Sequence, residues 1–179
     1  KDYVFRRTIL NTIIFTFFSL LFQFSIGFIL ALLFYRDFPL KSLYQSLIML
    51  PWIIPIIVSG SFYRWFFSDN GMLNGFLIAL RLITRPIPWI TSENLPIFSI
   101  IIANIWLGIP FNYILLYTGL TQIPTEILES ADIDGASYMK KVFYVIFPLL
   151  KPVSISALLL GTIFTIKVFD LVWIITQGG

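Results

Sequence analysis

Lys167 and Asp170 stand three positions apart in an otherwise apolar run near the end of the chain, a spacing that lets them pair along one helical face. Pairing lowers the cost of placing either charge in a bilayer, so the two carry a functional reading, a charged element of a solute pathway, and a structural one, a latch against a partner subunit. A second constellation lies on an uncharged run upstream. Asn104, Gly108 and Asn112 fall at i, i+4 and i+8 on one helical face, with Trp106 and Tyr113 near it. Carboxamides can hydrogen-bond a polar solute, and aromatic faces can stack against its apolar side; the same residues equally serve to glue neighbouring helices together. Trp52, between Pro51 and Pro55, carries the same two readings, a pathway lining or a helix interface. The third constellation is a polar segment, 126–152, in which Glu126, Glu129, Asp132 and Asp134 precede Lys140 and Lys141. Its chemistry is that of docking to a complementary surface. With no His and no Cys, the sequence has no thiol nucleophile, imidazole relay or zinc site of the usual ligand types, so no catalytic, metal or cofactor residue is assigned.

The elements that must position these residues are membrane-spanning. With 58% hydrophobic residues, 12% charged residues and 19 Phe, the chain has more apolar surface than a soluble domain of 179 residues could bury. Its net charge of +3 is dispersed, without the basic stripe that a phosphate backbone requires, so nucleic acid is excluded as a partner. The reading is all-α: one polytopic transmembrane helical bundle in a multi-pass membrane protein, surrounded by lipid. A hydrocarbon core of about 30 Å needs about 20 apolar helical residues, and four stretches qualify: 8–35, 43–67, 94–120 and 152–176. Pro51 and Pro55 leave the carbonyls of Leu47 and Pro51 without helical donors, which predicts a kinked or interrupted second span. Pro110 loosens the third. Lys1 without a preceding Met, and an end at Gly178-Gly179 straight after an apolar run, read as an internal fragment.

Between the second and third spans, Asn70-Gly71 and Arg85-Pro86 mark a loop. Within it Leu73, Phe76, Leu77 and Leu80 recur at helical spacing and predict a short interfacial helix, bracketed by Trp65 and Trp89 as anchors. Alternation of the spans puts 126–152 on the same side as 36–41. Arg36, Lys41, Lys140, Lys141 and Lys151 on that side are balanced by Lys1, Arg6, Arg7, Arg81 and Arg85 on the other, so charge bias leaves the sidedness open.

Locally, Thr125 is placed to cap a helix with Glu126 and Glu129 in its first turn, where the helix dipole favours acids. Gly135 supplies a left-handed stop, Ser137 caps a second helix through Phe147, and Pro148 ends it. The product is a helix–glycine–helix knuckle. Acid-rich segments do not favour anionic lipid, which tilts the reading from a linker resting on headgroups toward docking.

The run Glu129-Ser130-Ala131, then Gly135, then Val145-Ile146-Phe147-Pro148 resembles the cytoplasmic EAA loop of binding-protein-dependent ABC importer permeases. It departs at Ser130, where the family has Ala, and conservatively at Val145 and Phe147. Ile123-Pro124, Ile133-Asp134-Gly135-Ala136, Phe169-Asp170-Leu171 and Thr176-Gln177-Gly178-Gly179 resemble the carbohydrate-uptake branch of that family. So do Leu50-Pro51-Trp52 with Pro55, Gly71 with Asn74, and Trp106 with Gly108-Ile109-Pro110-Phe111, so the resemblance covers nearly the whole chain.

The resemblance implies a permease that translocates a sugar or related polyol delivered by an extracytoplasmic solute-binding protein. It implies pairing with a second permease subunit and with two cytoplasmic ATPase subunits, in the cell's inner membrane. The segment 123–151 would be the cytoplasmic coupling loop, with Glu126, Glu129, Ala131, Asp134, Gly135, Ala136 and Pro148 meeting the ATPase. Asn104, Trp106, Asn112, Lys167 and Asp170 remain the candidates for the solute pathway. The family core commonly has six spans, so at least one is expected before Lys1 and one after Gly179. No G-x-x-x-x-G-K-[ST] phosphate loop occurs in the sequence, so ATP hydrolysis is assigned to another chain and this one is a transport subunit, not an enzyme. The competing class is a secondary transporter or channel for a small polar solute. It lacks a ladder of intramembrane carboxylates for ion coupling, and an intramembrane enzyme lacks a nucleophile–base pair.

Overall fold

The computed structural model describes residues 2–177. Lys1, counted above among the charges of one side, and Gly178-Gly179 of the terminal motif lie outside the described residues. Every element among the described residues is helical. The first, α1 (Asp2–Tyr35), has 34 residues and, at about 1.5 Å per residue, exceeds the thickness of a hydrocarbon core. Two elements make up the second apolar run, α2 (Lys41–Ile53) and α3 (Ile56–Phe66), bent by 93° at their junction. The bend follows from Pro55, which has no N–H to give and forces the preceding residue out of helical geometry; Ile54 is extended at ψ 126°. The prolines therefore interrupt this run rather than merely kinking it.

A short helix, α4 (Met72–Ala79), forms in the following connection, and α5 (Pro96–Thr121) crosses next, opened by Pro96 in its first turn. The polar segment folds into α6 (Thr125–Ile133) and α7 (Tyr138–Leu149), after which the chain turns by 68° into α8 (Lys151–Ile166) and ends in α9 (Phe169–Thr176). Two helices, α1 and α5, are long and apolar enough to cross a membrane alone, and up to four crossings result if each bent pair is one span.

The last apolar run differs from the single span expected over 152–176. Helix α8 stops at Ile166, Val168 adopts ψ 81°, and α9 restarts at Phe169. Lys167 and Asp170 are both exposed and form no ion pair with each other among the described residues. The expected pairing along one helical face is thus replaced by another arrangement. Lys167 caps the C-terminal end of α8 and Asp170 lies in the first turn of α9, so each charge sits at the helix end whose partial charge it opposes.

Packing centres on α1 laid along α5. The approach is close enough that a Cβ at Gly27 would come within 2.7 Å of the Asn112 Cβ, and one at Gly108 within 2.2 Å of the Gln23 carboxamide. Ala31, Phe34, Tyr113 and Leu116 fill this seam at one end. At the other end Tyr63 and Phe67 of the α3 region, Ile100 and Ala103 of α5, and Leu171 and Ile175 of α9 form a second core. A third core anchors the polar segment: Leu120 and Ile123 after α5 pack with Val142, Ile146 and Leu150.

The connection 68–93 is built around Asn74, which is 1% exposed. Its Nδ2 donates to the carbonyls of Ser68, Asp69 and Ile87 at 3.2, 3.3 and 3.0 Å, and its Oδ1 accepts from the Ile87 N–H at 3.0 Å and the Trp89 Nε1 at 3.1 Å. Trp89 is therefore held by protein as well as by its ring. Arg7 donates to the Glu93 carbonyl at 3.2 Å, tying this connection to the start of α1. At the opposite end of α1 the Arg36 guanidinium lies 4.2 Å from the Tyr138 ring centroid. The segments 36–41 and 126–152 thus share one end of the bundle.

Candidate functional site

Two features could carry function, the knuckle at one end of the bundle and a cavity between its helices. In the knuckle, Pro124 rather than Thr125 occupies the position before α6, and Thr125 is the first helical residue; no side chain caps this helix. Ser137 has the extended backbone of a cap but makes no side-chain capping bond, and the first turn of α7 is held instead by the Lys141 N–H on the Ser137 carbonyl at 3.0 Å. Gly135 adopts φ +71°. The Ala136 N–H bonds the Ala131 carbonyl at 2.9 Å and the Gly135 N–H bonds the Asp132 carbonyl at 3.0 Å, the paired closure of a Schellman motif. An ion pair between Lys141 and Asp132 bridges the two helices across the bend.

Ser130, the departure from the family pattern, donates its hydroxyl to the Glu126 carbonyl at 2.7 Å. Its hydroxyl hydrogen is thereby used within α6, although the side chain itself is exposed. Pro148 does not stop α7, which runs on to Leu149. A π-helical turn over Val142–Ile146, closed by the Phe147 N–H on the Val142 carbonyl, precedes it. Pro148 has no N–H for the Tyr144 carbonyl and its ring crowds that group in a regular helix; the wider turn relieves both problems. The change of direction comes at Leu150, buried in the third core, with Pro152 opening α8.

None of the residues of α6 is buried. Glu126, Glu129, Asp134 and Gly135 are exposed and Ala131 and Ala136 half-buried, while Ile133 at the tip is 86% exposed. An acidic helix that presents a bare isoleucine, on a base packed firmly against α5, is shaped for a partner with a small apolar pocket and basic surroundings.

The cavity, of about 490 Å³, opens between α1, the α2–α3 break, α5 and α8. Asn104 and Gln23 supply carboxamides to its lining, and Trp52, Phe111 and Phe164 supply rings. The Trp52 and Phe111 centroids are 6.0 Å apart, and the Phe111 and Phe164 centroids 5.3 Å. No Lys, Arg, Asp or Glu is among the lining residues. Gln23 Nε2 donates to the Asn104 backbone carbonyl at 2.8 Å, whereas the buried Asn104 Nδ2 has no hydrogen-bond partner.

Of the five pathway candidates, Asn104 alone lines this cavity. Asn112 donates to the Gly108 carbonyl of its own helix at 3.0 Å and presses its Cβ against α1 at Gly27, while its buried Oδ1 has no hydrogen-bond partner among the described residues. Trp106 packs edge-on against Tyr63 with centroids 5.8 Å apart in the second core. Lys167 and Asp170 flank Val168, which lines the cavity, but are not part of the lining themselves. Trp52 is 54% exposed and does line it. Sequence reasoning missed Gln23, Phe111 and Phe164 as site residues. Gln23 had a signal, being one of the few polar interruptions of α1, but no single-helix pattern states what lies opposite it.

Residues 23–179 match the family described as binding-protein-dependent transport system inner membrane component. The trehalose/maltose transport system permease protein MalF of Thermococcus litoralis is 33% identical over 169 residues, 94% of this chain and 57% of the relative. The fold is similar to a bacterial ABC transporter involved in the import of the acidic polysaccharide alginate, with a TM-score of 0.81 and 25% identity over 92% of this chain and 58% of that one. A bacterial alginate ABC transporter in complex with an alginate pentasaccharide-bound periplasmic protein matches with a TM-score of 0.75 and 25% identity, over 84% of this chain and 53% of that one. The chain spans a little over half the length of the relatives it matches. With the family matched over most of its length, this all-helical membrane chain belongs to the inner membrane components of binding-protein-dependent transport systems.

Proposed function

We propose that this chain is the permease subunit of an ATP-driven importer that translocates a sugar or related polyol handed over by an extracytoplasmic solute-binding protein. The observation that carries the reading is the knuckle: a bend closed at Gly135, with no buried residue on α6 and Ile133 bare at its tip. Such a surface on a rigid base is what transmission of force from a separate ATPase requires. Glu126, Glu129, Ala131, Asp134, Gly135, Ala136 and Pro148 belong to the coupling segment, and 123–151 and 36–41 are assigned to the cytoplasm. A second permease subunit and two ATPase subunits complete the complex. The relatives' names support this reading, since one is a permease of a trehalose/maltose system and a similar structure holds a sugar-loaded periplasmic protein.

The solute pathway runs past Asn104, with Trp52 and Phe111 as the stacking surface. Trp106 and Asn112 support it through packing, and Lys167 and Asp170 mark the break between α8 and α9 beside it. The test is reconstitution of the full-length chain with its partners in proteoliposomes. Uptake of a sugar that needs enclosed ATP and the binding protein is expected. Uptake that follows a sodium or proton gradient and ignores ATP would favour a secondary transporter instead.

A further inference from the structure

We infer that the groove between α1 and α7 binds an anionic phospholipid, with an acyl chain along the groove and the lipid phosphate on the Arg36 guanidinium. The inference goes beyond the transport reading and does not depend on it, because the groove lies on the outer wall of the bundle and shares no residue with the cavity. Its volume is about 760 Å³. Two contacts bridge its walls: the Phe28 and Phe147 rings meet edge-on with centroids 5.8 Å apart, and the Arg36 guanidinium lies 4.2 Å from the Tyr138 ring centroid. Between them the lining is apolar and open, with Phe143 60% exposed.

Length favours an acyl chain. Along α1 the lining runs from Phe24 to Arg36, a rise of about 18 Å at about 1.5 Å per residue. One leaflet offers about 15 Å of hydrocarbon, half of a core of about 30 Å, so a chain lying in the groove brings its headgroup level with Arg36. A transmembrane helix fits less well. Helices in a bilayer meet through small residues, as α1 and α5 do at Gly27 and Gly108. The groove has Ser25 as its one small residue and four Phe, whose uneven surface a flexible chain follows better than a rigid cylinder.

Charge selects the headgroup. Arg36 is the sole charged residue of the lining, and no acid accompanies it. Asp37, its neighbour in sequence, is paired with Lys41 at 3.0 Å, and no oxygen accepts a hydrogen bond from the Arg36 side chain among the described residues. The Tyr138 ring holds the guanidinium through its face and leaves the planar fork of N–H donors free for a phosphate. The acids of α6 do not cancel this cation: none lines the groove, and Asp132 is paired with Lys141.

The test uses the full-length chain in its assembled complex, with photoreactive p-benzoylphenylalanine in place of Phe143, in vesicles of equal parts phosphatidylglycerol and phosphatidylcholine with identical acyl chains. Mass spectrometry of the illuminated chain separates a lipid adduct from a crosslink to another polypeptide. Lipid adducts are expected, with phosphatidylglycerol exceeding phosphatidylcholine about fivefold, the effect of one basic residue on an anionic lipid. Arg36→Gln is expected to bring the two lipids to near equality, and Arg36→Lys, which keeps the charge, to retain most of the preference. A polypeptide adduct would show that a protein element fills the groove and would overturn the inference. So would equal adducts of the two lipids, or an undiminished preference in Arg36→Gln. The lipid ratio before any change at Arg36 decides even if Arg36→Gln does not assemble. Because crosslinking is read without uptake, failure of the transport reading leaves this result standing, and failure here leaves that reading untouched.

Discussion

At Gly135 the backbone is left-handed at φ +71° while nothing lies within 4 Å of where a Cβ would be, so only conformation resists substitution. A non-glycine residue there costs about 1–2 kcal/mol, and Asn, which visits this region more readily, costs less. Gly135→Val is expected to lower coupled uptake at least tenfold with normal insertion, and Gly135→Asn to retain most of it, as measured by sugar uptake per ATP hydrolysed. Equal uptake by the two variants would count against the bend. This residue was legible because one glycine after an acidic helix has few other uses. Lys167 and Asp170 were not, because their spacing suggests a pair only if the helix continues between them, and it breaks at Val168. Ser130→Ala removes a hydroxyl already spent on the Glu126 carbonyl, so uptake and ATPase activity are expected to change less than twofold.

The elements follow from proline placement more than from hydropathy. Pro55 divides the second run into α2 and α3, and Pro148 widens α7 into a π-helical turn before the 68° change of direction. Hydropathy alone reads 43–67 and 152–176 as continuous spans, since it has no term for the donor that proline lacks. Pro148→Ala is expected to let α7 close as a regular helix and to alter the angle into α8. Distances between spin labels on Met139 and Leu159 should then shift; an unchanged distance distribution would show that the π turn has another cause. The connection 68–93 depends on Asn74 to a degree that a turn-rich sequence does not reveal. Asn74→Ala removes five hydrogen bonds and leaves half-buried groups of Ser68, Ile87 and Trp89 without that partner, a loss of about 1–3 kcal/mol. Faster proteolysis of this connection in intact vesicles is the expected readout.

As a whole, the molecule sets two half-sites against each other along the bundle. A charge-free cavity lies between α1, the α2–α3 break, α5 and α8, and an acidic knuckle projects from one end on a base formed by Leu120, Ile123, Val142, Ile146 and Leu150. The third core links the two, because α5 carries Asn104 in the cavity and leads directly into that base. Under the proposed function, a shift of α6 and α7 by a docked partner would be passed to the helix that lines the cavity. The membrane class, the α1 and α5 crossings and the knuckle could be read from residue types and spacing. The cavity could not, since it is assembled from four elements whose mutual packing no local pattern encodes.

The central claim is that partner-driven movement of the knuckle opens a path for a neutral sugar. It is tested most directly by uptake into proteoliposomes that contain the full-length chain with its second permease, ATPases and binding protein. The account predicts uptake of a neutral sugar that requires enclosed ATP and is lost in Gly135→Val although the complex still assembles. Uptake that persists without ATP, or that Gly135→Val leaves at the unaltered rate, would contradict it.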